Sequence, residues 1–284
     1  MEPRTGAVRY LLAGAFHSMA YVEWGDPAAL PLICVHGLTR NGRDFDVLAQ
    51  ALTPRYRVIC PDLPGRGASD WLPDPNLYQP PNYVAALSHL LAAIGQPVAW
   101  VGTSLGGICG MAVAAAAGQP ITRLVLNDVG AFIPAAALCR IRDYLVLAAS
   151  SPQSSSFADL AELEQHLRAI HAPFGELTDE QWAHLARHSA RTLPDGRLAL
   201  NYDPAIGDPI SAVEPQDVPL WTFWAAVSIP VLVLRGETSD LLLPETVEQM
   251  QARPGTQTHI VPNAGHAPAL MDGPTIEAIA RFLA

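Results

Sequence analysis

Apolar residues in this chain fall into short runs bounded by Gly, Pro and polar positions, and the period of the runs changes along the sequence. Positions 8–12 and 17–24 read as short strands joined by a turn at Gly14, and 31–36 is a compact apolar run ending at a glycine. A helix beginning at Asn41 or Asp44 is predicted to run to Leu52, and 56–60 is another β-rich run, stopped by Pro61. Val84, Leu87, Leu90, Leu91 and Ile94 have helical spacing, which predicts a helix over 82–94 closed by Gly95. A buried strand at 98–101, an Ala-rich helix at 105–117 and a strand at 121–126 follow. This β-α-β order requires a mostly parallel sheet with right-handed crossovers.

Between 127 and 228 the rhythm pauses. Three helices, over 134–149, 157–170 and 178–191, with a serine-rich turn at 150–156, read as an insertion over the sheet edge. The segment holds Phe132, Phe174, Trp182, Trp221, Phe223 and Trp224, rings that either pack a core of their own or line an apolar pocket; Phe132, Trp221 and Trp224 are taken as candidate substrate contacts. A strand at 230–234, a helix at 244–252, a strand at 258–261 and a helix at 274–283 then restore the alternation. The expected organisation is a core of 1–130 and 228–284 with a helical cap of 131–227.

Composition narrows the function. Half of the 284 residues are hydrophobic and 15% are charged, enough apolar surface for a packed globule. Seventeen basic against twenty-seven acidic residues leave a formal charge of −10 with no Lys/Arg cluster, which argues against nucleic acid as a partner and leaves a small-molecule substrate. No run of about 18 apolar residues is available to span a bilayer, and the first fifteen residues lack the apolar stretch of a secretory signal, so a soluble cytoplasmic protein is expected. Cys34, Cys60, Cys109 and Cys139 read as buried thiols, and none has metal-site spacing.

The chemistry concentrates at three loops. Gly102-Thr103-Ser104-Leu105-Gly106-Gly107 lies between an apolar strand and an Ala-rich helix, the context a G-x-S-x-G nucleophile turn requires. A serine hydroxyl needs a base within hydrogen-bond reach. His266, in a loop after the 258–261 strand, is placed at the same sheet edge, whereas His89, His166, His171, His184 and His188 fall in or beside helical segments and His17 and His259 in strands. The base in turn needs a carboxylate. Asp240 follows the 230–234 strand and is the first choice, with Asp128 after the 121–126 strand and Glu237 in the Asp240 loop as alternatives. The N–H groups of Leu38 and Leu105 are candidates for an oxyanion hole, while His36 and Asp62 read as loop-bracing residues.

Together the segments VHGL at 35–38, PDLPGRGASD at 61–70, GTSLGG at 102–107, RGETSD at 235–240 and NAGHAP at 263–268 resemble the α/β-hydrolase superfamily over about 21–283. The resemblance implies an eight-stranded, mostly parallel sheet flanked by helices, a helical cap after the sixth strand, a Ser104–Asp240–His266 triad and no cofactor. One feature departs from it: family members often place the acid three residues after the loop glycine, and Asp240 stands four after Gly236. Serine at the nucleophile position argues against dehalogenase and epoxide hydrolase chemistry. The expected activity is hydrolysis of a carboxylic ester of a small, partly apolar substrate through an acyl-enzyme. Lactone, C–C bond and peracid chemistry on the same triad are the alternatives, and a non-catalytic ligand receptor on this scaffold is the rival of another class.

Overall fold

A computed structural model describes residues 2–149 and 156–284. Eight strands form one sheet: β1 (Arg4–Leu12), β2 (Ala15–Trp24), β3 (Leu30–Val35), β4 (Tyr56–Pro61), β5 (Val98–Thr103) and β6 (Ile121–Asn127), then β11 (Val231–Gly236) and β12 (Thr256–Val261) after the insertion. Their spatial order is β1-β2-β4-β3-β5-β6-β11-β12. Only β2 pairs antiparallel, with β1 and β4; the other pairings are parallel. The expected sheet is present, and its order reverses at β3, which has β4 on one side and β5 on the other. In open α/β sheets the crevice at such a reversal is where ligands bind.

Alternation along the buried strands explains why helices cover both faces. Ile33 and Val35 of β3, Trp100 of β5 and Val231 and Val233 of β11 join one apolar core; Leu32, Cys34, Val101, Leu232 and Leu234 join the other. The first core is filled by α2 (Pro80–Ile94) and α3 (Leu105–Ala114), the second by α1 (Asp46–Leu52) and α10 (Gly273–Leu283). Helix α2 ends at Gly95 in the left-handed conformation (φ 67°), as its spacing predicts. Helix α3 stops short of the expected 117, because Gly118 (φ 73°) and Pro120 turn the chain into β6.

The insertion after β6 carries β7 (Phe132–Ile133), α4 (Ala135–Ala149), α5 (Leu160–Ile170), α6 (Asp179–Ser189), β8 (Ala190–Thr192), β9 (Leu198–Leu200), α7 (Asp208–Ser211), β10 (Val218–Pro219) and α8 (Trp221–Ala226), ahead of α9 (Pro244–Gln251) in the resumed core. Two helix starts are set by caps. Asp159 accepts from the Glu162 N–H, so α5 begins at Leu160 while Phe157 pairs with Leu198; Thr178 and Gln181 form a reciprocal capping box at α6. Phe157, Leu163, Leu167, Trp182 and Leu185 make a third core, closed by Met271. Apart from Ser156, the turn expected at 150–156 lies outside the described residues. Among those residues no helix is long and apolar enough to cross a membrane, and Cys34, Cys60 and Cys109 are buried thiols, with Cys139 half-buried.

Candidate active site

Ser104 sits at the turn from β5 into α3 with φ 50° and ψ −113°, a left-handed backbone that serine adopts only under constraint. The constraint is close packing. A Cβ on Gly106 would collide with the Val35 carbonyl, and one on Gly102 would collide with the Gly106 backbone, so both flanking positions must be glycine for the strand and helix to approach. The Ser104 N–H donates to the Asn127 carbonyl at 2.9 Å, and the Gly107 and Ile108 N–H groups donate back to the Ser104 carbonyl. The hydroxyl is thereby held over the first turn of α3, whose free N–H groups favour negative charge.

His266 reaches this hydroxyl from the loop after β12, with Nε2 3.0 Å from the Ser104 Oγ. Its Nδ1 lies 2.7 Å from Oδ2 of Asp128. The structure thus brings Ser104 and His266 together but corrects the acid, since the carboxylate behind the imidazole is Asp128 and not Asp240. The reason lies in the loop after β11. Ser239, three residues after Gly236, points its hydroxyl at Asp128 Oδ2 (2.6 Å), and the Gly236 N–H donates to Oδ1 (2.8 Å). That loop supplies donors to a carboxylate arriving from β6, and Asp240 turns outward. There Asp240 receives a two-pronged bond from Arg140 of α4, Nε to Oδ2 at 2.5 Å and Nη2 to Oδ1 at 2.8 Å. Burial pushes the Asp240 carboxyl up, but the Arg140 guanidinium outweighs it and holds the group below the usual aspartate range. Glu237 is also remote from the imidazole in bonding terms, accepting from the Asn263 N–H at 3.0 Å.

The loop after β3 forms the facing wall. His36 is buried and accepts from the Leu63 N–H at 2.9 Å through Nε2, while Nδ1 lies 2.7 Å from the Gly37 carbonyl. Burial pushes its pKa down to about 3, so the ring is neutral and fits one donor and one acceptor. Arg66, fully buried, donates Nε to the Leu38 carbonyl (2.8 Å) and Nη1 to Pro64 and Tyr83, which fixes the Leu38 peptide beside Ser104. Asp62 accepts from the Gly42 and Ala68 N–H groups, a bracing part as the sequence suggests. Leu105 opens α3 directly after Ser104.

A cavity of about 470 Å³ contains Ser104 and His266 and is walled by Leu38, Arg40, Arg140, Ile141, Tyr144, Ile170, His171 and Phe174 among others. Phe132, Trp221 and Trp224, the expected substrate contacts, do not line it, a second correction. Phe132 is taken up in the β7–β10 pairing, and Trp224 is buried in the main core with the Arg253 guanidinium 4.8 Å from its ring and Trp221 packed at that core's margin. The apolar wall comes instead from the inner face of α4 and the end of α5.

Sequence reasoning passed over four residues. Ser239 and Asn127 position the relay; Asn127 Nδ2 donates to Thr103 Oγ1 (3.0 Å) and to the Pro268 carbonyl (2.8 Å), tying the His266 loop to β5. The signal for Asn127 was a polar residue ending an apolar strand, and the signal for Ser239 was its place where an acid often stands. Arg66 and Arg140 carried no pattern of their own. One trio among the described residues, Asp46, His184 and His188, has its donor atoms within 4.8 Å of one another. Asp46 there already bonds Arg43 at 2.7 Å and lies 3.3 Å from His184 Nε2, so Asp46 and His184 tie α1 to α6, with the His188 ring packed 4.5 Å from that of His184.

A family model described as the alpha/beta hydrolase family matches residues 32–278. A 3-hydroxybutyrate-oligomer hydrolase of Cupriavidus necator is 42% identical over 292 residues, covering 99% of this chain and 98% of that protein. A pimeloyl-(acyl-carrier protein) methyl ester esterase of Xanthomonas campestris is 30% identical over 265 residues, covering 89% of this chain and 94% of that protein. The crystal structure of an alpha/beta hydrolase from Novosphingobium aromaticivorans superposes with a TM-score of 0.86 at 35% identity, covering 99% and 98% of the two chains.

Proposed function

The chain belongs to the alpha/beta hydrolase family and is a hydrolase, and from that premise we propose that it cleaves the ester bonds of short 3-hydroxybutyrate oligomers by a serine acyl-enzyme mechanism. The observation that carries the mechanism is the relay Ser104–His266–Asp128, with contacts of 3.0 and 2.7 Å, opening on a cavity of about 470 Å³. The substrate class rests on the likeness to the oligomer hydrolase over nearly the whole of both chains.

In this mechanism the Ser104 Oγ attacks the ester carbonyl while His266 Nε2 takes its proton, and Asp128 stabilises the imidazolium and fixes its tautomer. The oxyanion is held by the N–H groups of Leu38 and Leu105, each such donor contributing about 10²- to 10³-fold in rate. His266 then returns the proton to the departing alkoxide, which for these oligomers is the hydroxyl of the next 3-hydroxybutyrate unit. Water, deprotonated by His266, attacks the acyl-enzyme and releases the acid. No step calls for a cofactor. The 131–227 insertion serves as the cap, with α4 and α5 forming the wall that receives the methyl-bearing chain, so the substrate remains small and partly apolar.

The test is chromatographic analysis of linear 3-hydroxybutyrate dimer and trimer incubated with the enzyme, beside p-nitrophenyl butyrate as a general ester. Monomer release, abolished in Ser104→Ala, is expected. Turnover of p-nitrophenyl butyrate with the oligomers untouched would remove the substrate assignment alone; turnover of either by Ser104→Ala would remove the nucleophile.

A further inference from the structure

We propose that Arg140 is a carboxylate-recognition residue of this site, and that Asp240 is its internal competitor, which a substrate carboxylate displaces. The inference rests on the ester reading above and names the end of the substrate that the enzyme recognises. A linear hydroxyacid oligomer has one hydroxyl end and one acid end, and cleavage of any of its esters leaves the carboxylate on the departing alcohol. An enzyme acting near that end has to hold an anion beside its nucleophile, in a chain whose own formal charge is −10.

Two guanidinium groups line the Ser104 cavity, and they differ in freedom. Arg40 is almost wholly buried, bonds Asp44 through Nε at 2.8 Å and Nη2 at 2.7 Å, and lies over the Phe174 ring at 5.9 Å with Nη1 3.4 Å from His171 Nε2. It is locked into the wall. Arg140 projects from α4, about half of its side chain exposed, and its planar fork is matched by the equally exposed carboxylate of Asp240. A guanidinium fork accepts any carboxylate in the same two-pronged geometry. An exposed pair of this kind contributes little net stability, so exchanging one carboxylate for another costs little. Asp240 is also left without another assignment, since Asp128 has taken its expected place behind His266.

The experiment uses 3-butyryloxybutanoate and its N,N-dimethylamide, two butyrate esters with the same scissile bond, of which only the first carries a charge on the leaving alcohol. The wild-type enzyme is expected to favour the free acid in kcat/KM by about two- to fourfold, carried by KM. Arg140→Gln should bring the ratio close to one, Arg140→Lys should restore part of it, and Asp240→Asn should lower KM for the free acid severalfold. A ratio unchanged in Arg140→Gln would overturn the proposal, as would a loss of kcat on both esters in Asp240→Asn. Inhibition of p-nitrophenyl butyrate hydrolysis by 3-hydroxybutyrate separates this inference from the substrate reading. If neither oxybutanoate ester is cleaved, competitive inhibition that weakens about two- to fourfold in Arg140→Gln still upholds the carboxylate site, and inhibition indifferent to that substitution removes it.

Discussion

Asp128 has no solvent exposure and accepts three hydrogen bonds, from the Gly236 N–H, the Ser239 hydroxyl and His266 Nδ1. Two of these come from the loop after β11, so the loop serves as a donor cradle for a carboxylate carried by the neighbouring strand. A buried carboxylate is tolerable only when its lone pairs are used in this way. Asp128→Asn keeps the shape but replaces one acceptor oxygen by an amide donor, which would favour the wrong imidazole tautomer; kcat on p-nitrophenyl butyrate is expected to fall about 10⁴-fold. In Asp240→Asn, kcat on this neutral ester should stay within a few-fold of wild type. The reverse ranking would restore the acid assignment that the sequence favours. That assignment failed for a local reason. Counting residues after Gly236 identifies the correct loop, but whether an acid reaches the imidazole depends on which of two adjacent strand ends lies behind it. Asp128 follows a buried strand as plausibly as Asp240 does, and the deciding feature, a serine hydroxyl aimed at it, lies more than a hundred residues away in sequence.

At the scale of elements, the strands and the two Ser104-flanking glycines were legible because they follow period and close packing. Runs with period 2 that feed two different cores have few alternatives, and Ile33/Val35 against Leu32/Cys34 show the division directly. The inner face of the insertion was harder to read. Tryptophan content marked Trp221 and Trp224, yet large rings are first of all core material, and these two pack where the short helix α8 rejoins the main core. The cavity is instead formed by Ile141 and Tyr144 on α4, one helical turn apart, with the end of α5 opposite. Under the proposed function their side chains set acyl-chain preference. Tyr144→Ala is expected to shift the optimum of a p-nitrophenyl ester series toward longer acyl chains and to change KM for butyrate by about tenfold, on the scale of one large apolar contact. Trp224→Ala should leave the chain-length profile in place and lower the melting temperature, because it opens a hole in the core at a cost of about 3 to 5 kcal/mol. A profile moved by Trp224→Ala and indifferent to Tyr144→Ala would return the pocket to the tryptophans.

Across the whole molecule, buried histidines couple the insertion and the core to pH. His36 in the core, His166 on α5, His171 beside the cavity and His188 on α6 are all pushed toward the neutral form by burial, His36 down to about 3 and His188 to about 4, with Arg40 adding to the effect at His171 and Arg43 at His188. A histidine whose folded pKa is lowered binds fewer protons in the native state than in the unfolded chain. Its contribution is therefore complete above about 6.5, the unfolded value, and is lost as pH falls toward the folded value, at up to about 1.4 kcal/mol per pH unit for each group. His184 runs the other way: its bond to Asp46 raises its pKa against the opposing effect of burial, so its contribution is complete below 6.5 and fades as pH rises through the raised value. Four lowered histidines titrate in this direction while His184 adds no slope below 6.5, and the melting temperature is expected to fall between pH 6.5 and 5. In that window the lowered carboxyl groups, Glu23, Asp46 and Asp240, are almost wholly ionised in both states and contribute little slope, while burial raises the Asp62 carboxyl and works against the trend. Calorimetry at half-unit steps reads the effect directly, and His188→Gln, which removes one of the four titrating groups, should make the slope shallower. A melting temperature flat from 6.5 to 5 would show that these rings take up their protons without unfolding the chain.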